Sequence, residues 1–200
     1  MFCRIKGGGV LGIDGFPVDV EVDLASGLPQ FNIVGLPDKA INEAKDRVRS
    51  ALKNIGFQLP AKRITVNLAP SNLKKQGTLY DLPIAVGILK LAGIIDIDED
   101  TVIVGELSLD GKVNPVNGLL PIVLSLKQKG FKRFIVPKEN AKEGAVVQEV
   151  DVFGVGSLEQ LIRFLRGEGN IQPEKVDLNT LLSKVFDYSI DLADVKGQYQ

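Results

Sequence analysis

Three features of the sequence predict an α/β (α+β) fold built on a mixed sheet. Strand patterns stand alone at the start of the chain, strand and helix patterns interleave after about residue 38, and hydrophobic residues make up 44% of the 200 positions. A chain of this size can bury a substantial core, and interleaved elements after an all-β opening are typical of a mixed sheet. Charged residues make up 24%, which is ordinary globular usage and excludes disorder for most of the chain.

An antiparallel β meander is predicted to open the fold. Residues 19–24 alternate acidic and apolar side chains with a period of two, which is typical of a strand with one solvated face. Residues 3–6 and 31–34 also have strand patterns. Turns are predicted at the glycine-containing stretches between these strands, residues 7–9, 15–17 and 27–29.

A helix is predicted next, from its cap at Asp38 to about Asn54. Apolar side chains recur along it at steps of three and four, namely Ile41, Ala44, Val48, Leu52 and Ile55. Gly56 supplies the stop. The following strand is predicted at residues 63–68, and a polar loop over residues 69–77 comes after it.

Helices and short strands alternate through the rest of the chain. Further helices are predicted at residues 81–92, 118–129 and 157–165, and further strands at residues 102–109, 134–136 and 152–155. Asp110 and Gly111 predict a tight turn, and Ser157 with Gln160 forms a capping-box pattern. Residues 167–173 have the composition of a linker, so we predict a domain over residues 1–167 and a linker over residues 168–190.

Composition excludes several classes of site. The chain has no histidine and one cysteine, Cys3, so it cannot form an internal disulfide, a Cys/His zinc site or a histidine-based triad. Any catalysis would have to use Ser, Thr, Lys, Asp or Glu. No stretch without a charged residue exceeds 14 residues, and no secretory signal is visible. We therefore expect a cytoplasmic protein without membrane contact.

Two motif matches fail on context. Gly7, Gly9 and Gly12 match the dinucleotide fingerprint G-x-G-x-x-G, but a strand pattern follows them where that motif requires a helix. The acidic run over residues 96–100 resembles the start of a calcium loop, yet Thr101 and Leu107 occupy the positions that need Gly and Glu. A turn and a solvated acidic loop are the predictions at these two places, and no metal site is predicted.

The charge distribution is uneven. Residues 39–75 carry nine cations and two anions, a net charge of +7, whereas the rest of the chain has a net charge of −8. Such a segment can attract phosphate backbones, although cations are also commonplace on the polar side of an amphipathic helix. Because four of these cations bracket the strand at residues 63–68, we expect several to converge at one end of the sheet. The candidate DNA-binding residues are Arg47, Arg49, Lys62, Arg63, Lys74 and Lys75.

Several long sequence blocks resemble the N-terminal domain of the magnesium-chelatase-like AAA+ ATPases, the ComM/YifB branch. The blocks span nearly the whole chain and include VGLPD (34–38), DRVR (46–49), PAKRITVNLAP (60–70), YDLPIA (80–85), GELSLDG (105–111) and PKEN (137–140). Such domains resemble the Lon protease proteolytic domain. The resemblance therefore implies the ribosomal protein S5 domain 2-like fold, which agrees with the predicted elements.

The resemblance also bears on catalysis. Lon-type peptidases use a Ser-Lys dyad, in which lysine is the base for serine. The resemblance implies that Leu79 stands at the position of the serine and Leu120 at that of the lysine. No aliphatic side chain can exchange the proton that this mechanism needs, so we expect a peptidase-dead scaffold. Thr78 is a reserve nucleophile, but it lacks a lysine.

The C-terminal residues resemble the segment that enters an AAA+ module. Residues 191–200 would be the start of that module, and Val195, Gly197 and Gln198 would lie near the nucleotide in the full-length protein. No Walker A loop follows before Gln200. We therefore expect no cofactor in this chain, and the resemblance implies ATP and Mg²⁺ for the full-length protein.

Three functional hypotheses follow. In the first, the chain is the non-catalytic N-terminal domain of an AAA+ ATPase, packs on its own AAA+ module in a hexamer and supports DNA engagement during branch migration, recombination or competence. In the second, it is a protein-interaction or oligomerisation module without DNA contact, which uses the former substrate cleft around Leu79 and Leu120. In the third, it is an active Ser-Lys peptidase or a metal chelatase.

Overall fold

A seven-stranded mixed sheet organises residues 1–177, the part of the chain that the computed structural model describes. Its strands are β1 (Phe2–Leu11), β2 (Asp14–Ala25), β3 (Gln30–Val34), β4 (Arg63–Ala69), β5 (Thr101–Ile103), β8 (Arg133–Pro137) and β9 (Asp151–Val155). A separate antiparallel hairpin contains β6 (Glu106–Leu107) and β7 (Val113–Asn114). The helices are α1 (Lys39–Asn54), α2 (Asp81–Leu91), α3 (Leu119–Gln128), α4 (Ala141–Ala145) and α5 (Leu158–Leu165). The predicted α+β class is confirmed.

The strand order across the sheet is β3-β4-β2-β1-β5-β8-β9. Strands β1, β2 and β4 are antiparallel neighbours, whereas β3 runs parallel to β4, and β1, β5, β8 and β9 run parallel to one another. The predicted meander is therefore right for its first two strands and wrong for the third, because β4 lies between β2 and β3. Helix α1 connects β3 to β4 as a crossover, which a parallel pair requires.

Helices α1, α2, α3 and α5 confirm the sequence predictions. Helix α1 buries the apolar stripe Ile41, Ala44, Val48, Ala51 and Leu52, and the Asp38 carboxylate accepts the N–H of Ile41 at 2.8 Å as its cap. The Ser157 hydroxyl accepts the N–H of Gln160 at 3.1 Å and caps α5. The short helix α4 has no counterpart in the prediction.

Two of the predicted glycine turns are wrong. Gly7, Gly8 and Gly9 lie inside β1, and residues 15–17 lie inside β2. The true turn is at residues 12–13, where Gly12 has φ +64°. Gly8 and Gly15 make room for α3, because a Cβ atom would lie 2.4 Å from Ile122 Cγ2 at Gly8 and 2.5 Å from the Pro121 oxygen at Gly15.

The strand predicted over residues 102–109 is also wrong in its extent. The chain leaves the main sheet after Ile103 and begins the small hairpin at Glu106. A Cβ atom at Gly105 would lie 3.0 Å from Leu82 Cδ2, so the bend passes close to the first turn of α2. The predicted turn at Asp110 and Gly111 joins β6 to β7 and is confirmed.

The sheet has two unlike faces. Helix α2 packs on the face that carries Val22, since a Cβ atom at Gly87 would lie 2.5 Å from Val22 Cγ2. Helix α3 packs on the opposite face, over Gly8 of β1 and Gly15 of β2. Away from α3, that second face is polar and carries cross-strand ion pairs, including Lys6 with Asp19 at 2.6 Å.

The residues after α5 remain in contact with the domain as far as they are described. Ile171 and Val176 pack against the core, and the N–H of Glu174 donates to the carbonyl oxygen of Val152 at 2.8 Å. The division at residue 168 stays a prediction. No helix of residues 1–177 is long and apolar enough to cross a membrane.

Candidate functional site

A cleft of about 600 Å³ lies between three segments of the chain. The β1–β2 hairpin contributes Val10 and Gly12, the loop before α2 contributes residues 76–79, and the segment before α3 contributes residues 116–118. Asp38 completes the lining. The cleft therefore forms where the resemblance places the peptidase centre.

Asp38 fixes the loop of this cleft. One carboxylate oxygen caps α1 through the N–H of Ile41, and the other accepts the N–H of Gly77 at 3.0 Å. Gly77 has φ +82°, a conformation that favours glycine. The residue predicted as a helix cap therefore also joins α1 to the cleft.

Among the described residues that line it, the cleft has a threonine but no lysine. Leu79 lines it and is 7% exposed. Leu120 lies in the first turn of α3, where its N–H donates to Glu143 at 3.0 Å. Thr78 also lines the cleft, and no hydrogen bond within residues 1–177 joins its hydroxyl to a lysine. Among the described residues that line the cleft, Asp38 is the one ionisable side chain, and its carboxylate accepts the N–H groups of Ile41 and Gly77.

Lys75, a predicted DNA-binding residue, is fully buried. Its ammonium donates to the carbonyl oxygen of Gly35 at 3.1 Å and to that of Pro70, and its backbone N–H donates to Leu36 at 3.4 Å. Burial lowers the pKa of Lys75. Its charge holds two loops together and does not reach solvent.

Arg47, a second predicted DNA-binding residue, forms a bidentate ion pair with Asp81. The distances are 2.6 Å from Nε to Oδ2 and 3.0 Å from Nη2 to Oδ1. Asp81 is fully buried and also accepts the N–H of Leu107 at 3.2 Å. Burial raises the pKa of Asp81, and the hydrogen bonds from Arg47 oppose this shift. The pair joins α1 to α2 and to β6.

The four predicted cations that bracket β4, Lys62, Arg63, Lys74 and Lys75, do not converge at one end of the sheet. Lys62 and Arg63 stand at the start of β4, and Lys74 follows its other end. The seven residues of β4 separate these ends by about 20 Å. Cations that bracket a strand lie at its opposite ends, so the convergence expected of these four is wrong, whereas Arg49 and Lys62 do line one groove at the start of β4. DNA binding by the six residues stays a prediction.

A row of cations along α1 includes one predicted residue, Arg49, and lies beside another, Lys62. Lys45, Arg49 and Lys53 recur at steps of four, are exposed, and form no ion pair within residues 1–177. Lys62 lies beside Arg49 and Lys53 in the lining of one groove. We call Lys45, Arg49, Lys53 and Lys62 the α1 ridge. Sequence reasoning missed Lys45 and Lys53 as site residues, although their four-residue spacing from Arg49 was a usable signal.

The groove beside the ridge has a volume of about 720 Å³. It lies between the C-terminal end of α1, the start of β3 and the segment that leads into β4. Its apolar lining includes Phe31, Phe57, Leu59 and Ile64. No Asp or Glu of the described residues lines it. The groove therefore combines an apolar interior with positive charge alone.

Other predicted features fall elsewhere. Val195, Gly197 and Gln198 lie outside the described residues, as does the whole segment 191–200. Among residues 1–177, no group of three or more Cys, Asp or Glu side chains could hold a metal ion.

Comparisons with known proteins give the relationships of the chain. Residues 20–140 match the family described as subunit ChlI of Mg-chelatase. The competence protein ComM of Haemophilus influenzae is 40% identical over 196 residues, which cover 94% of this chain and 37% of that protein. The uncharacterised protein YifB of Escherichia coli is 36% identical over 193 residues, covering 95% of this chain and 37% of that protein. The chain thus spans less than two fifths of the length of either relative.

A weaker similarity extends to a peptidase. Lon protease 2 of Bacillus subtilis is 27% identical over 148 residues, which cover 67% of this chain and 26% of that protein. This match agrees with the resemblance to the Lon proteolytic domain, from which Leu79 and Leu120 were assigned as the dyad positions.

The contribution of the Arg47–Asp81 ion pair to the stability of the fold can be tested by substitution. Arg47→Met leaves the Asp81 charge buried without a partner, so we expect the free energy of unfolding to fall by about 3–5 kcal/mol. Adding Asp81→Asn removes that charge and is expected to recover part of the loss. Urea denaturation followed by circular dichroism measures both effects.

Lys39→Met is the matched control, because Lys39 faces Glu43 at 3.8 Å with its side chain 93% exposed. Exposed pairs contribute roughly 0–1 kcal/mol. A loss below about 1 kcal/mol for Arg47→Met would contradict the role given to the buried pair.

Proposed function

The chain belongs to the family of subunit ChlI of Mg-chelatase, and from this membership we propose that it is a non-catalytic domain of a longer AAA+ ATPase and helps that protein engage DNA. The α1 ridge carries this proposal, because its four cations are free of ion pairs within the described residues. The sequence blocks that resemble the ComM/YifB branch support it, as does the name of one relative, a competence protein.

The DNA contact would be electrostatic. Successive ridge cations on α1 are about 6 Å apart along the helix axis, and each can neutralise a phosphate and release its counterion. Arg47 and Lys75 are occupied by contacts inside the domain, so the proposal uses Lys45 and Lys53 in their place. Arg63, which follows Lys62 in the chain, would add charge next to the ridge, and Lys74 would add charge at a distance from it.

The residues of the cleft would account for the absence of peptidase activity. Acyl transfer by a Ser-Lys dyad needs a hydroxyl within hydrogen-bonding reach of a lysine. Leu79 and Leu120 provide neither group, and Lys75 is bonded to two carbonyl oxygens. Thr78 alone is a poor nucleophile.

The full-length protein would supply the ATP-dependent step. The resemblance implies that an AAA+ module binds ATP and Mg²⁺ next to Val195, Gly197 and Gln198, and that six copies form a ring. Within that ring the present domain would pack on the motor and present DNA to it, as in branch migration or recombination.

A second candidate function is subunit contact through the cleft. Leu11 and Ile13 flank Gly12 at the cleft and are 60% and 88% exposed, and Leu36, two residues before Asp38, is 55% exposed. Exposed aliphatic side chains around a concave surface favour contact with another protein.

DNA binding is tested by a salt titration. We expect the affinity for DNA to fall steeply between about 50 mM and about 200 mM salt, measured by fluorescence anisotropy with a labelled oligonucleotide. Reversing Arg49, Lys53 and Lys62 to Glu is expected to abolish measurable binding, because three phosphate contacts become repulsive.

The control reverses three cations outside the ridge, Lys129, Lys132 and Lys142, which changes the net charge equally. This variant is expected to bind almost as well as the unchanged chain. Equal loss in the two variants, or affinity that does not depend on salt, would exclude the ridge as the contact.

The absence of peptidase activity is tested with casein. We expect no cleavage by the chain and no difference between it and Thr78→Ala, as measured by gel electrophoresis of the digest. Cleavage that disappears in Thr78→Ala would show that the threonine is an active nucleophile.

Light scattering tests the second candidate. If the cleft is a subunit contact, the chain is expected to form an oligomer without DNA, and Ile13→Asp is expected to return it to a monomer. Leu109→Asp is the matched control, since Leu109 is 56% exposed on the β6–β7 turn. A monomeric mass for the unchanged chain would count against this function.

A further inference from the structure

The groove beside the α1 ridge has a composition that restricts its occupant. Cations stand at its rim, and its interior is apolar. Burying apolar surface inside it would be favourable, whereas a neutral apolar occupant would leave the three rim cations Arg49, Lys53 and Lys62 without partners. The occupant that fits best therefore combines a flat or apolar part with negative charge.

Two aromatic rings and two amides refine this description. Phe31 and Phe57 line the groove, and Phe57 is only half-buried. Gln30 and Gln58 also line it, and both are exposed. A phenylalanine ring offers a stacking surface for a nucleobase, and amide side chains can donate to and accept from the edges of a base. A phosphate next to that base would meet the rim cations.

The dimensions suit one small group inside the groove. Its volume of about 720 Å³ falls within the roughly 300–1,000 Å³ of typical small-molecule sites. Bases in a duplex are stacked and paired, so they cannot enter a lateral groove without being extruded. A single strand has bases that are free to turn outward.

We propose that this groove binds an unstacked nucleotide of single-stranded DNA, with the base against Phe57 and the neighbouring phosphates at Arg49, Lys53 and Lys62. The proposal rests on the proposed function, since it names the form of DNA that the α1 ridge engages. It goes beyond that function by predicting a preference for single strands and by assigning a role to an aromatic ring. The apolar groove then favours single-stranded over double-stranded DNA, two forms that the cations alone would bind equally.

An acidic peptide with apolar side chains is the competing occupant. It would satisfy the same charges, and it could pair with β3, which is an edge strand of the sheet. The two exposed amides and the half-buried ring favour the nucleotide, because a peptide would require neither of them.

The test compares a labelled single-stranded oligothymidine with a duplex of equal length, by fluorescence anisotropy with the 200-residue chain. We expect tighter binding of the single strand. Phe57→Leu keeps an apolar side chain and removes the ring, so we expect it to weaken single-strand binding roughly five- to one-hundred-fold. Duplex binding and the dependence on salt are expected to stay unchanged, because the cations remain.

Phe2→Leu is the matched control, since Phe2 is 59% exposed on β1 and does not line the groove. It is expected to leave both affinities unchanged. Circular dichroism of each variant checks that it is folded.

Photocrosslinking avoids dependence on any variant. An oligonucleotide that carries 5-iodouracil is irradiated with the unchanged chain, and the linked peptide is identified by mass spectrometry. A crosslink at Phe57 supports the proposal, whereas crosslinks confined to residues outside the groove would overturn it.

The possible failures can be told apart. Equal binding of single strand and duplex, reduced by Lys53→Gln but not by Phe57→Leu, would overturn the groove proposal and leave DNA binding in place. Failure of both oligonucleotides to bind would remove the proposed function and the groove proposal together. Phe57-dependent binding of a labelled peptide of alternating Asp and Leu, without binding of the oligothymidine, would assign the groove to a protein partner.

Discussion

The buried ion pair between Arg47 and Asp81 is the constraint on which the geometry of the cleft and of the α1 ridge depends. Asp81 stands at the start of α2, directly after the cleft loop, and its oxygens bind both α1 and the backbone of Leu107. Residues two apart in sequence are rotated by about 200° around the helix axis and so lie on nearly opposite sides of the helix. Because Arg47 points toward the domain interior, Lys45 and Arg49 point toward solvent. One buried contact therefore fixes the first turn of α2 and the direction of the α1 ridge.

The cleft depends on polar side chains that bond to the backbone of the surrounding loops. Asp38 and Lys75 hold the surrounding loops through bonds to backbone groups, and the cavity remains open. Leu79 and Leu120, at which the resemblance would place the Ser-Lys dyad, are aliphatic. Hydrogen bonds from polar side chains to the backbone favour one loop geometry, so Asp38 and Lys75 account for the shape of these loops without reference to any reaction.

Sequence patterns predicted the local structure well where a period could be read. The apolar stripe and the Asp38 cap of α1 and the capping box of α5 were found in this way. The glycines of β1 and β2 were misjudged, because glycine serves equally for a turn and for close approach by another element. Only the position of Ile122 on α3 distinguishes these uses.

For the candidate site, the sequence by itself determined the class of the fold, the excess of positive charge over residues 39–75 and the aliphatic character of Leu79 and Leu120. It could not decide which cations are available. The tertiary structure withdrew Arg47 and Lys75 into buried contacts, exposed Lys45 and Lys53, and brought Lys62 beside them at an apolar groove. The physical reason is that charge and periodicity are properties of a segment, whereas burial and partnership depend on segments far apart in the chain.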